Sequence, residues 1–92
     1  MNYCIIPLTS VTAAKRLEKE AMSNGILCRV VATPKGLSNR GCSHSVRLRE
    51  QDVSGIVTLG RNLNLSMGGV YLEVKYGQNI NYVRQEQYND IF

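Results

Sequence analysis

The sequence has no tryptophan, one phenylalanine and two prolines among its 92 residues. Because aromatic residues make up only 7% of the chain, aliphatic side chains must supply the hydrophobic core. No apolar run approaches the ~20 residues that a membrane-spanning helix needs, so we expect no membrane partner. The length suits one small domain, residues 1–92, and we do not expect a stand-alone enzyme.

The chain also lacks the cysteine patterns of secreted and metal-binding proteins. Its three cysteines are an odd number, and no leader segment precedes the first apolar run, so we expect a cytoplasmic, reduced protein. No Cys-x-x-Cys pair occurs, and Cys42-Ser43-His44 is not a usual zinc spacing. We therefore expect neither a bound metal nor another cofactor.

The charge balance is mildly basic. Eleven lysines and arginines oppose seven acidic residues, which gives a formal net charge of +4, but no run of five or six cations occurs. Such an excess favours phosphates, acidic proteins or small anions as ligands. The strand-borne aromatic motif of RNA-binding sheets is absent, so a nucleic-acid partner is not expected.

The apolar pattern predicts the element order β-α-β-β-α-β. Strands are predicted at residues 2–8, 26–33, 44–49 and 70–76, with a further short strand at residues 80–83. Ser10 offers an N-cap for the first helix, Gly25 ends it, and Asp52 offers a cap for the second. This order is typical of a two-layer, ferredoxin-like α+β sandwich, with a core at about residues 2–76 and a C-terminal extension at residues 77–92.

A polar, glycine-containing loop at residues 34–43 carries one of the three cysteines, Cys42. Cys4 and Cys28 lie inside apolar strands, where a free cysteine acts as a small hydrophobe. Cations and backbone N–H groups near Cys42 would stabilise a thiolate, and loop glycines can turn N–H groups toward one point. We predict Cys42 as a nucleophilic or persulfide-bearing thiol. Its predicted substrate- or anion-binding neighbours are Lys35, Arg40, Gly41, Ser43, His44 and Arg47.

Two enzyme classes fit the sequence poorly. His44 lies two residues after Cys42 and would project to the same side of an extended segment. A cysteine protease, however, also needs an orienting Asn or Asp and a larger scaffold. An acylphosphate hydrolase on this fold would need a glycine-rich anion cradle with arginine after the first strand, where this chain has Pro7-Leu8-Thr9-Ser10.

Three segments resemble the small selenium/sulfur carrier protein-like family. They are residues 5–10 with the following Ala-Ala-Lys-Arg-Leu-Glu-Lys-Glu helix, residues 25–34, and the stretch from Gly41-Cys42 to Arg47-Leu48. The resemblance covers roughly residues 3–76. It implies a carrier that accepts a persulfide or selenopersulfide on Cys42, with Arg47 as a nearby matching position. The family usually has glycine after the loop cysteine, whereas this chain has Ser43.

Two functions of different classes therefore remain open. In the first, Cys42 relays sulfur or selenium, without distinction between the two, from a donor enzyme to an acceptor enzyme. In the second, the chain is a non-catalytic interaction module whose open sheet face or edge strand docks a partner or forms a homodimer, and Cys42 is incidental. The candidate contact residues for the second function are Tyr71, Tyr82, Tyr88 and Arg84.

Overall fold

The computed structural model describes residues 2–37 and 43–89. The described residues form, in chain order, β1 (Tyr3–Leu8), α1 (Val11–Ser23), β2 (Cys28–Ala32), β3 (His44–Arg49), α2 (Val53–Asn62), β4 (Tyr71–Tyr76), β5 (Asn79–Arg84) and α3 (Glu86–Asn89). Short 3-10 turns occupy Lys35–Leu37 and Glu50–Asp52. The predicted α+β class and the extra C-terminal strand are confirmed. The four-residue α3 lies in the segment predicted as a polar tail.

The five strands form one sheet in the order β2-β3-β1-β4-β5, with every neighbouring pair antiparallel. Side chains alternate between the two faces of a strand, so the register assigns each residue to a face. Cys4, Ile6 and Leu8 of β1 lie on the same face as Val46 and Leu48 of β3, and all five belong to the core cluster. We call this the helix face.

Helix α1 follows the sequence closely. The Ser10 hydroxyl accepts a hydrogen bond from the Ala13 amide at 3.0 Å, as an N-cap residue does. The helix ends before Gly25, whose φ of +76° is the left-handed conformation that glycine adopts without a steric penalty. Between these ends, Ala14, Leu17 and Ala21 are fully buried against the sheet. The predicted cap and stop of the first helix are confirmed.

Helix α2 packs beside α1, but its start differs from the prediction. Asp52 occupies the N-cap position and makes no side-chain capping hydrogen bond. Its carboxylate instead lies 3.4 Å from Nη2 of Arg49, three residues earlier. Gly60 weakens the helix by propensity, and a Cβ there would lie 2.6 Å from Sδ of Met67, so the flexible Met67 side chain would have to shift. Within the described residues, no helix has the length and apolar character to cross a membrane.

The sheet also has a face directed away from α1 and α2, which we call the second face. Its residues alternate with those of the core, and they include Tyr3 and Ile5 of β1 and Arg47 of β3. Ile5 is only 2% exposed. The centre of the second face is thus shielded by its neighbouring side chains, and charged and tyrosine side chains surround it.

Candidate functional site

The predicted thiol, Cys42, lies with Arg40 and Gly41 outside the residues that the structure describes. The described residues on either side of this segment show which part of the fold it joins. Lys35 is exposed in the 3-10 turn after β2, and Ser43 is exposed immediately before β3. The Ser43 carbonyl accepts a hydrogen bond from the Thr33 amide at 3.1 Å. The loop therefore connects β2 and β3 at ends that this backbone hydrogen bond already holds together.

Ser43 and His44 are brought together at this end of the sheet. The Ser43 hydroxyl lies 2.9 Å from Nδ1 of His44, within hydrogen-bond distance. His44 pairs with Leu8, the last residue of β1, and with Ala32, the last residue of β2. Since α1 begins three residues after Leu8, the loop joins the sheet at the end where α1 starts.

Arg47 is not brought to this pair. It lies three residues further along β3, and the strand's alternation directs it to the second face while His44 lies on the helix face. Its guanidinium makes two hydrogen bonds to Glu73, with Nε at 2.8 Å from Oε2 and Nη2 at 3.1 Å from Oε1. It also lies over the ring of Tyr3, 3.9 Å from the ring centroid. The guanidinium of Arg47 thus extends from β3 and is held by Tyr3 of β1 and Glu73 of β4.

The Arg47–Glu73 pair is a polar contact between two strands on the second face. The Glu73 side chain is only 9% exposed and that of Arg47 is 38% exposed. The hydrogen bonds that Arg47 donates to Glu73 raise the pKa of Arg47 above its ordinary value, which favours the charged guanidinium. Burial raises the pKa of the neighbouring Tyr82, and the Glu73 charge acts in the same direction. Sequence alternation could place Glu73 on this face, but pairing with a residue 26 positions away required the strand order.

The other two cysteines are poor nucleophiles. Cys4 is 0% exposed and belongs to the core cluster, and Cys28 packs against that cluster from β2. Burial is the main cause that raises the pKa of each thiol from 9.0 to about 11, with acidic neighbours adding to the effect. At neutral pH both groups are therefore protonated thiols. Their predicted role as apolar filler agrees with these positions.

A disulfide between Cys4 and Cys28 is excluded by the sheet. Both residues pair with Leu48 of β3, which lies between their strands. Two strand spacings place their Cα atoms about 10 Å apart, and a disulfide needs less than ~7 Å. In residues 2–37 and 43–89, no group of three or more His, Cys, Asp or Glu side chains is arranged to hold a metal ion.

The comparison with protein families identifies the class of the chain. Residues 3–72 match the family described as "Putative Se/S carrier protein-like". This match covers well over half of the 92 residues, and the chain belongs to that family. No curated protein and no solved structure matches the chain.

Proposed function

We propose that the chain carries sulfur or selenium on Cys42 as a persulfide or selenopersulfide. The family match supports a carrier and includes all three cysteines in its range. The choice of Cys42 rests on where the structure places the other two cysteines. Cys4 and Cys28 lie on the helix face with pKa values of about 11, so neither supplies a thiolate at neutral pH. Cys42 is the cysteine that remains.

The loading step is a thiol exchange with a donor enzyme that holds the sulfur as its own persulfide. The Cys42 thiolate attacks the terminal sulfur of the donor persulfide. A bond forms between Cys42 Sγ and that sulfur, the donor's S–S bond breaks, and the donor cysteine leaves as a thiolate. A donor with selenium in the terminal position reacts in the same way. An acceptor nucleophile then takes the atom from Cys42, and no external oxidant or reductant is needed in either transfer.

The loop residues are proposed to favour the charged forms of this thiol. Lys35 and Arg40 supply positive charge, and Gly41, Ser43 and His44 supply donors near the sulfur. The Ser43–His44 contact at 2.9 Å supports this arrangement because it fixes two polar side chains directly after Cys42. Arg47 is proposed to act elsewhere, since its guanidinium is engaged by Glu73 on the second face.

The scaffold that we propose for this carrier is the ferredoxin-like sandwich. Its support is the antiparallel order β2-β3-β1-β4, with one helix after β1 and another after β3. We place the reaction in the cytoplasm, where thiols are kept reduced and a carrier cysteine stays available.

Peptide mass spectrometry after incubation with a cysteine desulfurase and cysteine tests the proposal. We expect the mass of one added sulfur on the Cys42 peptide of the wild type and none on the Cys42→Ser variant. Cys28→Ser is the matched control, and it should load as the wild type does. An adduct confined to Cys4 or Cys28, or an unmodified wild type, would contradict the carrier role.

Self-association is a second candidate function, and the edge strand β5 favours it. β5 pairs only with β4 among the described strands, which leaves its outer backbone groups unpaired. Ile80 is 45% exposed and Val83 is 46% exposed on this strand. A second copy of the chain could pair edge to edge with β5. Light scattering after size exclusion would show a dimer that Ile80→Lys dissociates, whereas a monomeric wild type would eliminate this function.

A further inference from the structure

A groove on the second face lies at the end of the sheet away from Ser43. Its volume is about 430 Å³, and its lining includes Tyr3, Leu27, Arg29, Arg47 and Arg49. This volume falls within the range of small-molecule sites, ~300–1,000 Å³. The register places the groove beside the first residues of β2 and the last residues of β3, whereas the Cys42 loop joins the opposite ends of these strands. The groove therefore lies at the opposite end of β2 and β3 from His44.

The groove concentrates positive charge at a cost to the sheet. Arg29 of β2 and Arg47 of β3 are direct cross-strand partners, and Arg49 lies two residues beyond Arg47 on the same face. Like charges directly opposite each other destabilise a strand pair. Glu73 offsets the charge of Arg47, and Asp52 lies 3.4 Å from Arg49. Within the described part of the chain, the Arg29 side chain makes no hydrogen bond or ion pair, and Arg29 is exposed.

The guanidinium of Arg47 is held in place before any ligand arrives. Glu73 binds its Nε and Nη2, and the Tyr3 ring lies beneath its plane. Nη1 of Arg47 has no partner among the described residues, and the side chain is 38% exposed. A guanidinium fixed in this way presents N–H donors without the entropy loss of ordering a free side chain.

We propose that this groove binds a small oxyanion, a free phosphate or sulfate or the phosphate or carboxylate group of a metabolite. Arg29 supplies the uncompensated charge, and Nη1 of Arg47 and the guanidinium of Arg49 supply further donors. A bound anion would offset the repulsion between Arg29 and Arg47. The groove does not suit a nucleic-acid strand, because base stacking needs an open aromatic face and the guanidinium of Arg47 covers a face of the Tyr3 ring.

An NMR titration of the full chain with inorganic phosphate tests the proposal. We expect saturable shifts at the backbone amides and side-chain Nε–Hε groups of Arg29, Arg47 and Arg49. Arg29→Ala should weaken binding about tenfold or more, as loss of a hydrogen bond to a charged group does. Arg16→Ala, on the exposed side of α1, removes the same charge and should change affinity less than about twofold.

Three results of the phosphate titration would overturn the proposal. They are the absence of saturable shifts, equal weakening by Arg29→Ala and Arg16→Ala, and shifts centred on residues 38–44. A parallel titration with a metabolite that carries one phosphate group distinguishes a free ion from an esterified one as the ligand. A single-stranded oligonucleotide that saturates these resonances while phosphate does not would also refute the small-oxyanion site. The test is independent of the carrier function, since Arg29→Ala should load sulfur on Cys42 as the wild type does.

Discussion

The elevated pKa values of Cys4 and Cys28 predict a large difference in thiol reactivity. Alkylation by iodoacetamide requires the thiolate, so the rate follows the ionised fraction and the access to the sulfur. At pH 8, a thiol with a pKa of about 11 is ionised about ninetyfold less than one with the ordinary value of 9.0. Cys4 is also 0% exposed and should react only when the fold opens. Both residues should thus alkylate much more slowly than an unburied cysteine, because their thiolate fraction is about ninetyfold smaller.

Peptide mapping of alkylation rates in the native chain, from pH 7 to 10, checks this reasoning. We expect Cys42 to be modified first and to reach half-modification well before Cys4 or Cys28. The urea-unfolded chain is the control, since all three cysteines should then react at similar rates. Comparable rates at Cys28 and Cys42 in the native chain would refute the argument from burial.

Three further predictions concern stability, each measured by urea unfolding. Ser10→Ala removes the cap of α1 and should cost about 1 kcal/mol. Glu73→Gln leaves Arg47 without its carboxylate and should lower the free energy of unfolding by about 1–2 kcal/mol. This is less than a fully buried ion pair would lose, because Arg47 is partly exposed to solvent. Folding raises the pKa of Cys4 and Cys28 from the ordinary 9.0 to about 11, so both thiols stay protonated to a higher pH than in the unfolded chain. The contribution of these thiols to the free energy of unfolding should be fully present below pH 9.0 and should be lost as pH rises through about 11.

Each stability prediction has a matched control. Thr12→Ala lies in the first turn of α1 without the capping bond and should change the free energy of unfolding by less than about 0.5 kcal/mol. Glu86→Gln removes a carboxylate from an exposed ion pair and should also have little effect. For the pH series, replacement of Cys28 by alanine should reduce the alkaline loss of stability. An unchanged slope in that variant, or equal losses for Glu73→Gln and Glu86→Gln, would contradict the reasoning.

Local chemistry explains why much of the fold follows from the sequence. The Ser10 cap and the Gly25 stop depend only on neighbouring backbone groups, and both occur as predicted. Alternation along β3 places Val46 and Leu48 in the core and Arg47 on the other face. Asp52 is the exception, because its carboxylate lies near Arg49 and makes no capping hydrogen bond.

The polar contacts between distant strands could not be predicted in the same way. Alternation gives the face of Arg47, but its partner depends on β4 lying next to β1, which brings Glu73 across the sheet. The opposition of Arg29 and Arg47 similarly depends on the register of β2 with β3. The sequence pattern singled out Arg47 as a charged residue near Cys42 along the chain. In the structure, Arg47 forms an ion pair with the largely buried Glu73 on the second face.

Sulfur loading of a chain that keeps Cys42 as its only cysteine tests the central claim most directly. Cys4→Ala and Cys28→Ala together remove the other two thiols, and a desulfurase with radiolabelled cysteine supplies the sulfur. We predict one labelled sulfur per chain, bound to Cys42, released by a thiol reductant and passed to an added acceptor thiol. A folded single-cysteine chain that takes up no label, or label that persists in Cys42→Ser, would contradict the carrier function.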